Sequence, residues 1–313
     1  MESGINNDDL QAKNAIFEIE SYVDSIEKND LLHEERYFDK RNERVDFIGF
    51  QLLDQIDALL GKSTHPDKLL QLKLRAEKIR TELEEIDKDL LQGIRLNIQS
   101  GYYKGSAFKK LLAEYFDFNT DHKEYLEGAC YDNLDVFING LLAVKKIPEP
   151  TKALEPEMVY YQKTPARIVF ELVEKIKFTK DDVFFDIGGG LGQTAILVNL
   201  LSGIAVRGIE FEPVFCKYAN DCSRELNLSK VTFFNIDARD AGYSDGTVFF
   251  MFTPFTGEML KSVLEKLRAE SLKRKIKVVT YGPCTTYIML EGWLDCTEWK
   301  DENIYQLGIF CSH

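Results

Sequence analysis

Residues 182–212 constrain the fold of this chain more than any other stretch. Val183–Ile187 is a short apolar run of the kind a strand buried on both faces needs, and it runs into Gly188, Gly189, Gly190 and Gly192, where the backbone must turn sharply. A helix over about 193–201 follows. Strand, glycine turn and helix in that order bring bare amides and a helix N-terminus together, so part of a ligand can lie against the main chain.

Spacing narrows the ligand. The dinucleotide fingerprint Gly-x-Gly-x-x-Gly would need its third glycine where Gln193 stands, and the last glycine falls one residue early at Gly192. A second apolar run over 204–209 ends in Glu210, eighteen residues after Gly192. A carboxylate at the tip of the second strand can accept both hydroxyl hydrogens of a ribose. The pattern Asp186-x-Gly188-x-Gly190-x-Gly192 resembles the first motif of class I S-adenosylmethionine (SAM) methyltransferases. A glycine-rich turn with no ligand would explain the glycines alone, but not the placing of Glu210.

At 313 residues the chain is long enough for two domains, and 44% hydrophobic content suits a globular protein. The net charge of -13 is uneven, about -10 over residues 1–150 and about -3 over 151–313. That acidity argues against a broad nucleic-acid footprint, which needs a basic face; it suits a basic protein partner, or solubility alone. No apolar run reaches the roughly 18 residues of a membrane span, and no basic-then-apolar leader is present, so no membrane association and a cytoplasmic location are expected. The six cysteines (Cys130, Cys216, Cys222, Cys284, Cys296, Cys311) contain no Cys-x-x-Cys pair. They read as reduced thiols, and no metal site is expected.

The first half is helical in pattern. Ile16, Ile19, Val23 and Ile26 fall at helical spacing, and two helices fit residues 8–60 before Gly61. A third opens at Pro66 and is expected to end at Gly93. In it Leu72, Ala76, Ile79, Leu83, Ile86 and Leu90 make one seam, which serves either a helix packed in a bundle or a homodimer through the N-terminal helices. Further helices are expected over 107–118 and about 124–144. Pro148, Glu149 and Pro150 form the clearest linker, since neither proline continues a helix. The expected domains are therefore a helical one over 1–147 and a ligand-binding one over 151–313.

Beyond the linker, Thr164 followed by Pro165 reads as an N-cap with proline at the first helical position of a stretch ending at Ile176. The same turn can fold over the glycine loop and offer the Tyr161 and Thr164 hydroxyls to a ligand carboxylate. Third, fourth and fifth strands are expected over 231–236, 247–252 and 278–281, with a late antiparallel strand over 304–311.

Val159-Tyr-Tyr-Gln-Lys-Thr164, the helix to Ile176, Asp186-Ile-Gly-Gly-Gly-Leu-Gly-Gln193 and Gly208-Ile-Glu210 together resemble the disruptor-of-telomeric-silencing type of lysine methyltransferase. The likeness runs over about 159–283. It implies an α/β fold, a doubly wound, mostly parallel seven-stranded sheet of the Rossmann-like class I methyltransferase kind, preceded by the all-α N-terminal domain. It implies SAM as cofactor, held by Tyr161, Thr164, Asp186, Gly188, Gln193, Glu210 and Asp237, with Gly190 and Gly192 in the turn and Ala238 beside the adenine.

After the fourth strand come Thr253, Pro254 and Phe255, where amine-methylating relatives carry a polar-Pro-Pro-aromatic loop. Thr253 is the only polar group before the proline, a departure that puts lysine specificity in question. Thr253, Pro254, Phe255 and Tyr281 are the expected catalytic residues, with Phe252 and Tyr160 as further walls. All four histidines lie outside residues 123–312, so a histidine base is not expected in the catalytic fold. The expected function is SAM-dependent N-methylation of a protein side chain. Two alternatives remain at this stage: a small-molecule methyltransferase lidded by the helical domain, and a silent SAM-binding module.

Overall fold

The computed structural model describes residues 7–61, 64–118, 131–142, 146–299 and 303–313. Cys130, His122 and both ends of the helix expected over about 124–144, residues 124–130 and 143–144, lie outside them. The chain divides into two compact units, Met1–Gly93 with Glu114–Asp117, and Ile94–Ala113 with Phe118–His313. The linker at 148–150, taken from sequence as the domain boundary, falls inside the second unit.

In the first unit α1 (Asn7–Glu27) is followed by two short 3-10 turns, then by α2 (Phe38–Phe47) and α3 (Leu53–Leu60), joined through a wide π turn at Ile48–Leu52. The long helix α4 starts at Pro66 and runs to Gln99. It passes straight through Gly93, where an end was expected. A mid-helix glycine costs only about 1 kcal/mol against alanine, and Ile94 and Ile98 beyond it are buried, which favours continuation.

The α4 seam is internal to the unit. Leu72, Ala76, Ile79 and Leu83 pack with Ile16, Ile19, Val23 and Ile26 of α1 and with Ile48, Leu52 and Ile56, leaving this face to a bundle core. Arg41 is fully buried there, donating to the carbonyls of Leu32, Glu34 and Glu35 and to Asp87 Oδ1. Its guanidinium thus organises the turns between α1 and α2.

The second unit adds α5 (Ser106–Leu112) and α6 (Asn133–Leu142) before α7 (Ala166–Ile176). Its sheet comprises β1 (Val183–Ile187), β2 (Ala205–Glu210), β3 (Val231–Asn235), β4 (Val248–Met251), β5 (Lys277–Thr280), β6 (Leu294–Glu298) and β7 (Gly308–Ser312), in the order β3-β2-β1-β4-β5-β7-β6. Strands β1 to β5 are parallel; β7 runs antiparallel to both its neighbours. Between them lie α8 (Gln193–Ser202), α9 (Pro213–Glu225), α10 (Gly257–Ser271) and α11 (Cys284–Ile288).

Central strands covered on both faces must be apolar throughout, and every residue of β4 is buried. Seven strands were expected, and β6 is the one the sequence did not locate. It is an edge strand whose residues after Leu294 are exposed, so it carries no apolar run to reveal it. The sheet order reverses direction between β1 and β4, which opens a crevice at their C-terminal ends.

Candidate active site

A cleft of about 730 Å³ occupies that crevice. Its wall includes Tyr161, Thr164, Asp186, Gly188, Gln193, Glu210, Asp237 and Ala238, and also Thr253, Pro254 and Phe255. The sheet topology therefore gathers most of the sequence-derived site residues from five separate segments. Gly190, Gly192 and Tyr281 are not on the wall.

Their absence has physical reasons. Gly190, at φ +52, lies beneath the Tyr161 ring, where a Cβ would come within 2.1 Å of Cε2. Gly192, at φ +86, serves packing: a Cβ there would sit 2.6 Å from Phe233 Cζ, and Gly208 leaves room for the same ring from β2. Tyr281 is buried, its ring 4.8 Å from that of Phe252 and 5.9 Å from that of Tyr305. It supports the aromatic wall from behind.

The glycine turn is braced rather than bare. Gly188 and Gly189 both donate their amides to Ile209 O at 2.9 Å, and Gly190 donates to Glu210 Oε2 at 2.7 Å. Glu210 Oε1 accepts from the Glu212 amide, also at 2.7 Å. Burial raises the Glu210 carboxyl above its ordinary range, against the pull of those amides. A carboxylate has about four acceptor positions, so acceptor capacity remains beyond these amides.

Asp186 stands at the end of β1 beside this turn. Burial pushes its carboxyl up to about 7, a hydrogen bond donated by the Ala195 amide opposes that, and the Glu210 charge adds to it. Its Oδ2 is buried without a hydrogen-bond partner. A buried, unpaired acceptor oxygen facing a cleft is a place where a donor or cation belongs.

Thr164 does not cap α7. The cap position is Pro165, and the Ala166 amide donates instead to Asp135 Oδ1 of α6 at 2.8 Å. The carbonyl of Thr164 accepts from Gln193 Nε2 at 3.2 Å, which fixes the 160–164 segment against the start of α8.

Asp237 follows β3. Arg239 donates to its carboxylate through the main-chain amide at 2.8 Å, Nε at 3.0 Å and Nη2 at 2.7 Å, and holds the carboxyl below its usual range. The same guanidinium pairs with Glu155. Neither Arg239 nor Glu155 was anticipated, because the sequence separation of 84 residues hides the contact.

A strap over 151–159 crosses the cleft mouth. At one bank Glu212 accepts from the Thr151 amide and hydroxyl and the Lys152 amide, while Lys152 Nζ lies 3.8 Å from the centre of the Phe211 ring. At the other bank Glu157 accepts from the Glu258 and Met259 amides at the start of α10, and Val159 donates to Pro254 O at 3.1 Å.

The loop after β4 is held from behind. Thr253 has φ 41, and its hydroxyl accepts from the Cys284 amide at 3.0 Å and donates to Tyr281 O at 3.4 Å. The group expected to meet an acceptor nitrogen is therefore engaged within the protein. Phe250, Phe252, Phe255, Met158 and Met259 give this region of the wall its apolar character.

The sheet order, its switch-point cleft and a family match together define a class I SAM-dependent methyltransferase, an enzyme whose cofactor is SAM. Residues 155–267 match the family model described as histone methylation protein DOT1, so the catalytic segment resembles that type within the class. Among curated proteins no relative matches the chain. Solved structures similar to it include an RNA methyltransferase from Salinibacter ruber with S-adenosyl-L-homocysteine (22% identity, 48% of this chain and 92% of that one, TM-score 0.37). Others are a putative methyltransferase from Methanococcus maripaludis (17%, 37% and 53%, 0.33) and one from Aquifex aeolicus (14%, 46% and 88%, 0.39). Among the described residues no helix is long and apolar enough to cross a membrane, and no group of three metal-binding side chains occurs.

The residues present fit the cofactor. Asp186 Oδ2 lacks a donor, Glu210 keeps free acceptor positions at the end of β2, and Asp237 and Ala238 flank the β3 end of the same cleft.

Proposed function

We propose that the enzyme methylates a nitrogen on a protein side chain, a lysine-like amine. The observation that carries this reading is the match of residues 155–267 to the histone methylation family, over the segment that forms the second half of the strap, the glycine turn and the loop after β4. SAM supplies an electrophilic methyl group on a sulfonium. On this reading Glu210 receives the ribose hydroxyls, Asp237 the adenine amine with Ala238 alongside, and Tyr161, Thr164, Asp186 and Gln193 enclose the methionyl end.

Methyl transfer to an amine is an in-line displacement that needs alignment and exclusion of water more than acid-base machinery. The amine must first lose its proton, which for a free lysine at neutral pH costs roughly 4–5 kcal/mol, from a pKa of about 10.4 and about 1.4 kcal/mol per unit. A dry wall of Phe252, Phe255 and Pro254 next to a positive sulfonium lowers that pKa. With the Thr253 hydroxyl engaged by Cys284, these apolar surfaces and Tyr160, which follows the strap, align the amine.

The test is incubation with methyl-labelled SAM and basic proteins, followed by acid hydrolysis and amino-acid separation. Label recovered as methyl-lysine is expected. Label found only on small molecules, or on no acceptor, would overturn the protein-acceptor reading.

A further inference from the structure

We propose that Lys163 is a cofactor-binding residue, its ammonium pairing with the α-carboxylate of the methionyl group of SAM. The inference rests on the cofactor placement argued above and adds a residue to it. Two cations stand on the cleft wall, Lys152 and Lys163. Lys152 is committed to the Phe211 carbonyl at 3.0 Å and the Phe211 ring, at the β2 end.

Lys163 is half-buried, and among the described residues no carboxylate pairs with it. Its Nζ donates once, to Asn139 Oδ1 of α6 at 2.7 Å, leaving two hydrogens. Tyr131 donates to its carbonyl at 2.6 Å, and the next residue, Thr164, is tied to Gln193. Lys163 is thus fixed from both sides next to the first turn of α8, at the end of the cleft opposite Asp237. Burial pushes its amine below the ordinary lysine range, with the Asp135 charge opposing. The Asp135 carboxylate is already committed to the Asp132 and Ala166 amides, so this part-desolvated cation gains when a further anion arrives, and the cofactor's carboxylate is the anion due at this end.

The test compares SAM with decarboxylated SAM, which lacks that group alone, by titration calorimetry on the full chain. Lys163→Met is expected to weaken SAM binding roughly ten- to hundredfold, the usual effect of losing a charged hydrogen bond. It should leave decarboxylated SAM within about twofold of its wild-type affinity, which also shows the site intact. Lys163→Arg is expected to recover part of the loss. Equal losses for both ligands, or unchanged SAM affinity, would overturn the proposal. If the wild-type protein binds neither nucleoside, the cofactor placement beneath it falls instead.

Discussion

The Gly190 amide donates to Glu210 Oε2 across 2.7 Å, joining the turn after β1 to the carboxylate that ends β2. One acid thereby shapes the floor of the cleft and lines it. Glu210→Ala is predicted to weaken S-adenosyl-L-homocysteine binding by about 1–3 kcal/mol, the cost of leaving buried polar groups unsatisfied. Calorimetry reads it, and unchanged affinity would remove Glu210 from the site.

Gly190 and Tyr161 should prove strongly coupled. Gly190→Ala places a Cβ 2.1 Å from the Tyr161 ring and adds a side chain at φ +52. Cofactor affinity is predicted to fall by about 1–3 kcal/mol, and a Tyr161→Ala background should absorb part of that loss. Strictly additive effects in a double-mutant cycle would show that the ring does not lie over the turn.

Asp186 makes a prediction about pH. Its folded-state pKa, about 7, lies above its ordinary value, so the folded chain holds a proton that the unfolded chain has released. The stability this contributes is present at low pH and is lost as pH rises from about 4 through 7, on the order of a few kcal/mol. Asp186→Asn should therefore raise the thermal midpoint at pH 8 more than at pH 5. A cationic ligand beside Asp186 favours its ionised form, so cofactor binding near pH 7 should release a proton, detectable from the buffer dependence of the calorimetric heat. A heat independent of buffer would count against Asp186 meeting the cofactor.

The Arg239 network separates binding from surface pairing. Asp237→Ala is predicted to cost about 1–3 kcal/mol in cofactor affinity. Glu155 contributes only an exposed partner to Arg239, so Glu155→Ala should leave affinity within about twofold and reduce stability by less than about 1 kcal/mol. The reverse ranking would assign the adenine contact elsewhere.

Asp135 caps α7 from a distant helix through the Ala166 amide. Asp135→Ala should destabilise the fold by about 1–2 kcal/mol in urea titrations, whereas Thr164→Val should hardly move the midpoint and should act on cofactor binding instead. Equal destabilisation by both would return the capping role to Thr164.

Much of this architecture was legible in the sequence because its signals are local. β1, the glycine turn, α8 and Glu210 lie within one continuous stretch whose apolar runs and spacing are unambiguous. The less legible parts depend on contacts between distant segments. Asp135 replacing Thr164 as a cap, Arg239 linking Asp237 to Glu155, and Cys284 engaging the Thr253 hydroxyl each join residues that no periodicity relates. Gly93 looked like a helix stop because propensity was read without the burial of Ile94 and Ile98. Gly192 belonged to the motif pattern, but only the position of Phe233 shows that it makes space for packing. Strand β6 was missed because an exposed edge leaves no apolar trace.

Thr253 bends the backbone in a way few non-glycine residues do, and its side chain pins the loop after β4 to the one after β5. The acceptor wall consequently takes its contour from a rivet on its reverse side. Phe252 rests on Tyr281 and is part of that fastening, whereas Phe255 takes no part in the Thr253 bonds, so an exchange at Phe255 is expected to alter the wall while leaving the rivet in place.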